Sequence, residues 1–160
     1  MTSWGETQIA MATQGVAALA FGLSSADWEA QLRAWWPKAQ IVESVAATQP
    51  WIERIFLEQD VVVPLFLQGT PFQLRVWDAL RQISIGTVVT YGELARQLQV
   101  PNAVRAVANA VAANKIAYCI PCHRVVHANS RQQGYRWGVA LKTALLQAEQ
   151  AGLIEKPEQI

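Results

Sequence analysis

Tyr91-Gly92-Glu93-Leu94-Ala95-Arg96-Gln97-Leu98, followed by Val100-Pro101-Asn102 and then by Ala103 to Ala113, is the stretch that decides how this chain folds. The first run predicts a short helix. Pro101 interrupts it because it has no N–H to give, and Asn102 offers a side-chain oxygen to cap a second helix. Two short helices with a tight break between them predict a helix-turn-helix. In the second helix Val104, Val107, Ala108 and Val111 recur at i, i+3, i+4 and i+7, and are expected to face the core. Arg105, Asn109 and Ala112 fall opposite. One arginine among alanines and an asparagine lets a helix lie close to a nucleic-acid groove while the arginine reaches in. Alanine-rich helices are also simply good helices, so these residues leave both readings open.

Upstream, Thr70-Pro71-Phe72-Gln73 opens a helix with a cap, a proline in its first turn and a capping-box glutamine. Phe72, Val76, Leu80 and Ile83 form its apolar stripe, joined by Trp77. Gln68-Gly69 marks a boundary. Before it, Thr7 to Ala12 and Val16 to Phe21 flank Thr13-Gln14-Gly15 as a hairpin. Ser24 or Ser25 caps a helix carrying Trp28, Leu32, Trp35 and Trp36, which are expected as a packing face, and Pro37 ends it. Pro50 to Gln59 predicts another helix. Val61 to Leu67 predicts a strand made an edge or a bulge by Pro64. Downstream, Ile116 to Ile120 predicts a short buried strand that Pro121 ends, with Cys122 at its tip. His127 to Gly134 is a polar loop. Val139 to Ala151 is a last helix with Leu141, Leu145 and Ala148 inward and Gly152 as its stop. The fold class is therefore α+β: a small lobe over residues 1–68, an antiparallel sheet with helices, and a mainly helical domain over 69–160.

Chemistry concentrates at Pro121-Cys122-His123-Arg124. A free thiol has a pKa near ~8.5 and needs a base to become a nucleophile at neutral pH. His123 is adjacent, although neighbours in sequence point in different directions, so a relay requires a bend after Cys122 and a carboxylate to orient the imidazole. Catalysis and an inert buried cysteine both fit these residues. Cys119 completes a C-x-x-C, but with two cysteines and two histidines (His123, His127) no second ligand pair exists at ordinary zinc spacing, so no metal is expected and Cys119 is assigned to the core. Glu149 sits near the face of Leu145 in the last helix, where a surface position is the default.

At 160 residues and 52% hydrophobic the chain is long enough to bury a real core. Two cysteines, no apolar run of ~18 residues and no basic leader predict a soluble cytoplasmic protein, with no membrane partner. Three basic and seven acidic residues give residues 1–68 a balance of −4; ten and five give the remainder +5, which together make the formal +1. The half with the cysteine thus offers a polyanion a landing surface.

Pro121-Cys122-His123-Arg124-Val125 resembles the P-C-H-R-[VI] signature of the O6-alkylguanine-DNA alkyltransferases. Gly69-Thr70-Pro71-Phe72-Gln73, Val76-Trp77, Tyr91, Leu94-Ala95, Arg105-Ala106-Val107, Ala113-Asn114 and Gly134-Tyr135-Arg136-Trp137-Gly138 resemble family positions in order, so the likeness runs from about Gly69 to Glu149. Within the family the look is closest to the C-terminal domain of the bacterial adaptive-response methyltransferase. The N-terminal lobe is similar to the family's ribonuclease H-like lobe by pattern alone.

The resemblance implies direct, single-turnover transfer of an alkyl group from O6 of guanine, with O4 of thymine a further candidate, in duplex DNA to Cys122, without a cofactor. It implies His123 as base through a water, Glu149 as the carboxylate that orients it, and Tyr91 as the residue that rotates the nucleotide and polarises the guanine. Arg105 would fill the vacated stack, with Ala106 and Asn109 beside it on the DNA, since a base inside a duplex must be flipped out. Tyr135, Arg136, Asn114 and Val125 would form the substrate pocket. Arg136 stands where mammalian members carry a small hydroxyl residue. Lys115 and Ala117 stand where they carry prolines, so benzyl-type inhibitors are expected to bind poorly. A monomer is expected. A noncatalytic lesion binder, a helix-turn-helix regulator and a thiol redox protein are the alternatives, and each accounts for one feature.

Overall fold

The computed structural model describes residues 4–57, 62–129 and 134–153. The expected strand start at Val61, the helix end at Gln59 and the middle of the 127–134 loop lie outside them. In chain order the elements are β1 (Thr7–Ala12), β2 (Gly15–Phe21), α1 (Ser25–Trp35), α2 (Val45–Leu57), α3 (Pro71–Arg81), β3 (Val89–Thr90), α4 (Tyr91–Gln97), α5 (Val104–Ala112), a 3-10 turn (Cys122–Arg124), β4 (Val125–Val126) and α6 (Val139–Gln150).

β1 and β2 form the expected antiparallel hairpin, running from the pair Thr7 and Phe21 to the pair Ala12 and Gly15, with a register irregularity at Ala10/Met11. Every residue of β2 is buried, and the strand is central: β1 pairs along one edge, and the other edge meets Leu65 and Ile116. The 62–67 segment lies along that second edge. The expected strand there reduces to a single parallel bridge between Val16 and Leu65, since Pro64 offers only its carbonyl, which Val16 N–H meets at 2.8 Å. A Cβ on Gly15 would stand 2.2 Å from the Pro64 oxygen, and its φ of +144° is glycine territory. Gly15→Ala is therefore expected to cost about 2 kcal/mol and to lower the melting temperature by roughly 5 °C; an unchanged melt would show that Pro64 yields.

α1 is capped by Ser24, whose side chain accepts from the Asp27 N–H. Its tryptophans are not the inner face the sequence predicts: only Leu32 is buried, while Trp28, Trp35 and Trp36 form a half-buried edge-to-face chain with centroids 6.2 and 5.7 Å apart. α2 starts at Val45, before Pro50, because Ser44 caps it through Ala47 N–H at 3.3 Å.

α3 carries the capping box its sequence predicts, with Gln73 N–H on Thr70 Oγ1 at 3.2 Å and Thr70 N–H on Gln73 Oε1 at 2.9 Å. Trp77 of α3 donates its indole N–H to the Ala110 carbonyl of α5 at 2.8 Å. α4 has a second capping box, Thr90 with Glu93. α5 departs from expectation at its start: Asn102 does not cap it, the cap position is Ala103, and no side chain bonds there. Its buried stripe is Val107, Ala110 and Val111, while Val104 is 37% exposed. The stripe is rotated toward Ala110 because α5 packs on α3 and α4 together.

Ile116 to Ile120 is not a strand. After a parallel bridge from Leu19 to Ile116, Tyr118 turns left-handed at φ +66° and Ile120 N–H returns to the Ile116 carbonyl at 3.2 Å. The run is apolar because it is buried, not because it is extended. α6 ends where expected, with Gly152 at φ +68°, but its inner face differs: Leu145 is joined by Lys142 and Glu149, while Leu141 and Ala148 are half-buried.

One core cluster joins both halves of the chain. Val16, Leu19, Ile55 and Val63 pack with Val76, Leu80, Leu94, Val107, Ile116 and Ile120. Among the described residues no helix is long and apolar enough to cross a membrane.

Candidate active site

Cys122 sits at the start of the 3-10 turn rather than at a strand tip, and the turn is set by Cys122 N–H on the Ile120 carbonyl at 2.7 Å and Arg124 N–H on the Pro121 carbonyl at 3.0 Å. The bend that a Cys–His relay needs is thus present. Asn114, at the end of α5, organises the approach. Its Oδ1 accepts from Ile116 N–H at 2.9 Å, and its amide reaches the Ile116 and Ile120 carbonyls at 3.2 and 3.0 Å and the Cys122 sulfur at 3.2 Å. A side chain that takes over backbone partners in this way competes with strand formation, which explains the coiled 116–120 segment. Neither cysteine forms a disulfide, and both are buried. Burial pushes Cys119 up to about 12, which leaves it inert. Burial also raises Cys122, opposed by the Asn114 amide and the Lys142 charge. At rest the thiol is protonated and needs a base.

His123 follows, fully buried. Its Nε2 lies 2.8 Å from Glu149 Oε1. Burial depresses the imidazole's pKa, against the carboxylate's pull, so the ring is neutral at pH 7. A carboxylate at Nε2 assigns the proton to that nitrogen. Nδ1 is then a bare lone pair, buried and without a hydrogen-bond partner. Glu149 is held from all sides: Arg124 Nε contacts both oxygens at 3.0 Å, Arg124 Nη2 contacts Oε1 at 2.7 Å, and Gly86 N–H donates to Oε2 at 3.2 Å. Arg124 also donates to the Ile83 carbonyl at 2.6 Å. Burial alone would raise the Glu149 carboxyl, but these hydrogen bonds and charges hold it at about 2.

Tyr135 stands edge-on to His123, with centroids 6.5 Å apart, and packs on Trp137 at 5.2 Å. Its hydroxyl is buried beside Cys122 without meeting hydrogen-bond geometry, and burial, then the nearby thiol, push its pKa well up. Tyr91 opens α4, half-buried, and is raised by burial and by Cys122. Val125 is buried on β4, and its carbonyl accepts from Lys142 Nζ at 2.7 Å. The Arg136 guanidinium lies over Trp35 at 5.5 Å, and the Lys115 ammonium over Trp36 at 5.2 Å. Cys122, His123, Glu149, Asn114, Tyr135, Tyr91 and Val125 thus converge. Arg105, Ala106 and Asn109 lie apart from them on the exposed side of α5.

Sequence reasoning missed Arg124 as the second clamp on Glu149 and Lys142 as a buried cation beside the thiol. The available signal was the spacing of Lys142, Leu145 and Glu149, which share one face of α6. Among the described residues no three His, Cys, Asp or Glu side chains gather where a metal ion could be held.

Residues 71–151 match the family model for the 6-O-methylguanine DNA methyltransferase, DNA binding domain. The chain is 38% identical over 150 residues to the bifunctional transcriptional activator/DNA repair enzyme Ada of Escherichia coli, covering 91% of this chain and 42% of that protein. It spans less than half the length of the first curated relatives it matches. The crystal structure of Mycobacterium tuberculosis O6-methylguanine methyltransferase superposes with a TM-score of 0.71 at 31% identity, over 94% of this chain and 89% of that one. The same organism's protein in complex with DNA gives 0.66 at 30%, over 94% and 91%. With a family model over half its length, and a solved relative matched along nearly all of both chains in the same mixed fold of helices and small sheets, the chain belongs to the O6-alkylguanine-DNA alkyltransferase family.

Proposed function

We propose that this chain repairs DNA by moving one alkyl group, methyl first of all, from O6 of guanine in a duplex to Cys122, once and irreversibly. The observation that carries this reading is the bare, buried Nδ1 of a neutral His123 whose other nitrogen is committed to Glu149, one residue from a protonated thiol. The Cys122 proton passes through a water to Nδ1 of His123. The sulfur then forms its bond to the alkyl carbon as the carbon–O6 bond breaks; the electron pair stays on the guanine, whose negative charge is stabilised by a hydrogen bond from Tyr91 until the base takes up a proton, which balances the one lost by the thiol. Tyr135, Asn114, Val125 and Arg136 line the place of the base. O4 of thymine presents the same kind of alkylated oxygen and is a second substrate.

The DNA side is α4 and α5, read as a helix-turn-helix. Its exposed Arg105, Ala106 and Asn109 face the groove, and the arginine takes the place of the rotated base, offsetting the few kcal/mol that flipping costs. Residues 1–68 form a ribonuclease H-like lobe and residues 69–160 the alkyltransferase domain, acting as a monomer in the cytoplasm. The relative solved in complex with DNA supports DNA as partner. Incubation with a duplex carrying one O6-methylguanine, followed by intact-mass measurement, tests the reading. The expected result is a stoichiometric gain of one methyl group, mapped to the Cys122 peptide. A mass that stays unchanged while the duplex binds overturns transfer and leaves a lesion binder.

A further inference from the structure

His127 has no part in the chemistry above, yet the backbone brings it to one of the residues that does. β3 and β4 pair in parallel, Val89 with Val125 and Thr90 with Val126. One step further along the same register, where β3 becomes α4 and β4 leaves the cysteine turn, stand Tyr91 and His127. Their rings are in contact, with centroids 4.8 Å apart and planes inclined at 55°. Tyr91 is fixed at its backbone by the capping box of Thr90 and Glu93 and is half-buried, near enough to Cys122 to feel the thiol. The exposed His127 ring packs against it.

We infer that His127 is a positioning residue for Tyr91, clamping the tyrosine ring between the active-site turn and the imidazole so that its hydroxyl meets the rotated nucleotide in one orientation. The inference rests on the alkyl-transfer reading and adds to it a residue that touches neither the alkyl group nor the thiol. A tyrosine at a helix start has room to change rotamer into solvent; an imidazole packed against its ring restricts that freedom before DNA arrives. Preorganisation of this kind acts on the rate of the bound complex more than on affinity, and a misplaced group can cost as much as ~100-fold.

The test uses the whole chain, with His127→Ala, His127→Phe and Tyr91→Ala singly and the two alanine changes together. Single-turnover methyl uptake at saturating lesion duplex is followed to completion. His127→Ala is expected to slow transfer about tenfold, with the duplex dissociation constant and the melting temperature nearly unchanged. His127→Phe restores most of the rate, because a ring returns to the face of Tyr91. In the Tyr91→Ala background His127→Ala adds almost nothing, because the residue acts through the tyrosine. Since the chain has two histidines, the His127 ring protons are readily assigned, and Tyr91→Ala is expected to shift them. Equal losses from His127→Ala in both backgrounds, no loss in either, or unmoved ring protons overturn the inference. Failure of the alkyl-transfer reading is recognisable separately, because there the unsubstituted protein itself takes up no methyl group.

Discussion

Cys122→Ala protein is expected to take up no methyl group at any time or pH, yet to remain folded. The substitution removes one buried sulfur that the Asn114 amide meets at 3.2 Å, and that amide keeps its two carbonyls. The stability cost is about 1 kcal/mol, and the melting curve stays within a few degrees. The wild-type pH profile gives the comparison its force. Burial holds the Cys122 thiol above its ordinary value, so the thiolate fraction, and with it the transfer rate, is expected to rise as pH climbs from neutral into the alkaline range. His123, depressed by burial, is already a neutral base there and adds no loss until the solution is well below neutrality. In Cys122→Ala the whole profile is absent. Residual methyl uptake by the variant would move the nucleophile to Cys119, which its burial and its value of about 12 speak against.

Glu149→Ala is expected to be the most damaging single change to stability. The carboxylate is the common acceptor for Arg124, His123 and the Gly86 N–H. Its loss leaves the Arg124 guanidinium, 3% exposed, as an uncompensated buried charge. Removing one partner of a buried pair typically costs ~3–5 kcal/mol, which chemical denaturation would read directly. Glu149→Gln keeps the volume but turns amide hydrogens toward groups that themselves donate. It is expected to be milder in stability and to slow transfer by about a hundredfold, since His123 loses the group that fixes its tautomer.

The same carboxylate is expected to set the acid limit of the fold. Glu149 titrates at about 2 in the folded protein against 4.5 for the free group. Its contribution is complete above about 4.5 and is lost as pH falls toward 2, on the order of 3 kcal/mol in all. His123 works in the same direction. Its folded value lies below the ordinary one, so the unfolded chain binds the proton first as pH falls below ~6.5, and stability drains from that point. Stability followed from pH 7 down to pH 3 should fall in wild type, and the lower part of that slope should flatten in Glu149→Ala. A slope that persists there would assign the acid limit to other groups.

What could be read beforehand follows a physical division. Thr70 with Gln73, Ser24 before Asp27 and Gly152 after Gln150 speak through local chemistry, so helix ends there came out as expected. The hairpin and the α4–α5 pair were legible for the same reason. The run Ile116 to Ile120 was not, because a side chain outside it, Asn114, takes the backbone partners a strand would need, and an apolar composition reports burial rather than extension. Val104 turned outward because the position of α5 is settled by two neighbouring helices, which its own periodicity does not contain. At the site, Cys122, His123 and Glu149 were legible through motif and resemblance. Arg124 and Lys142 were hidden because charged residues are assigned to solvent by default, and only the ring of partners around Glu149 and the Val125 carbonyl makes their burial affordable.

The contacts that close the site also set when it can exist. Glu149 meets Arg124 across 25 residues, His123 across 26 and Gly86 across 63, so each closes a long loop whose entropy must be overcome before the contact stabilises anything. The cysteine turn, the Gly86 turn and α6 have no partial arrangement in which the imidazole is oriented and the arginine satisfied. During synthesis a chain that already contains Cys122 and His123 has its thiol and its imidazole but not the carboxylate that orients the ring, so the proposed relay is assembled only once Glu149 has emerged and docked.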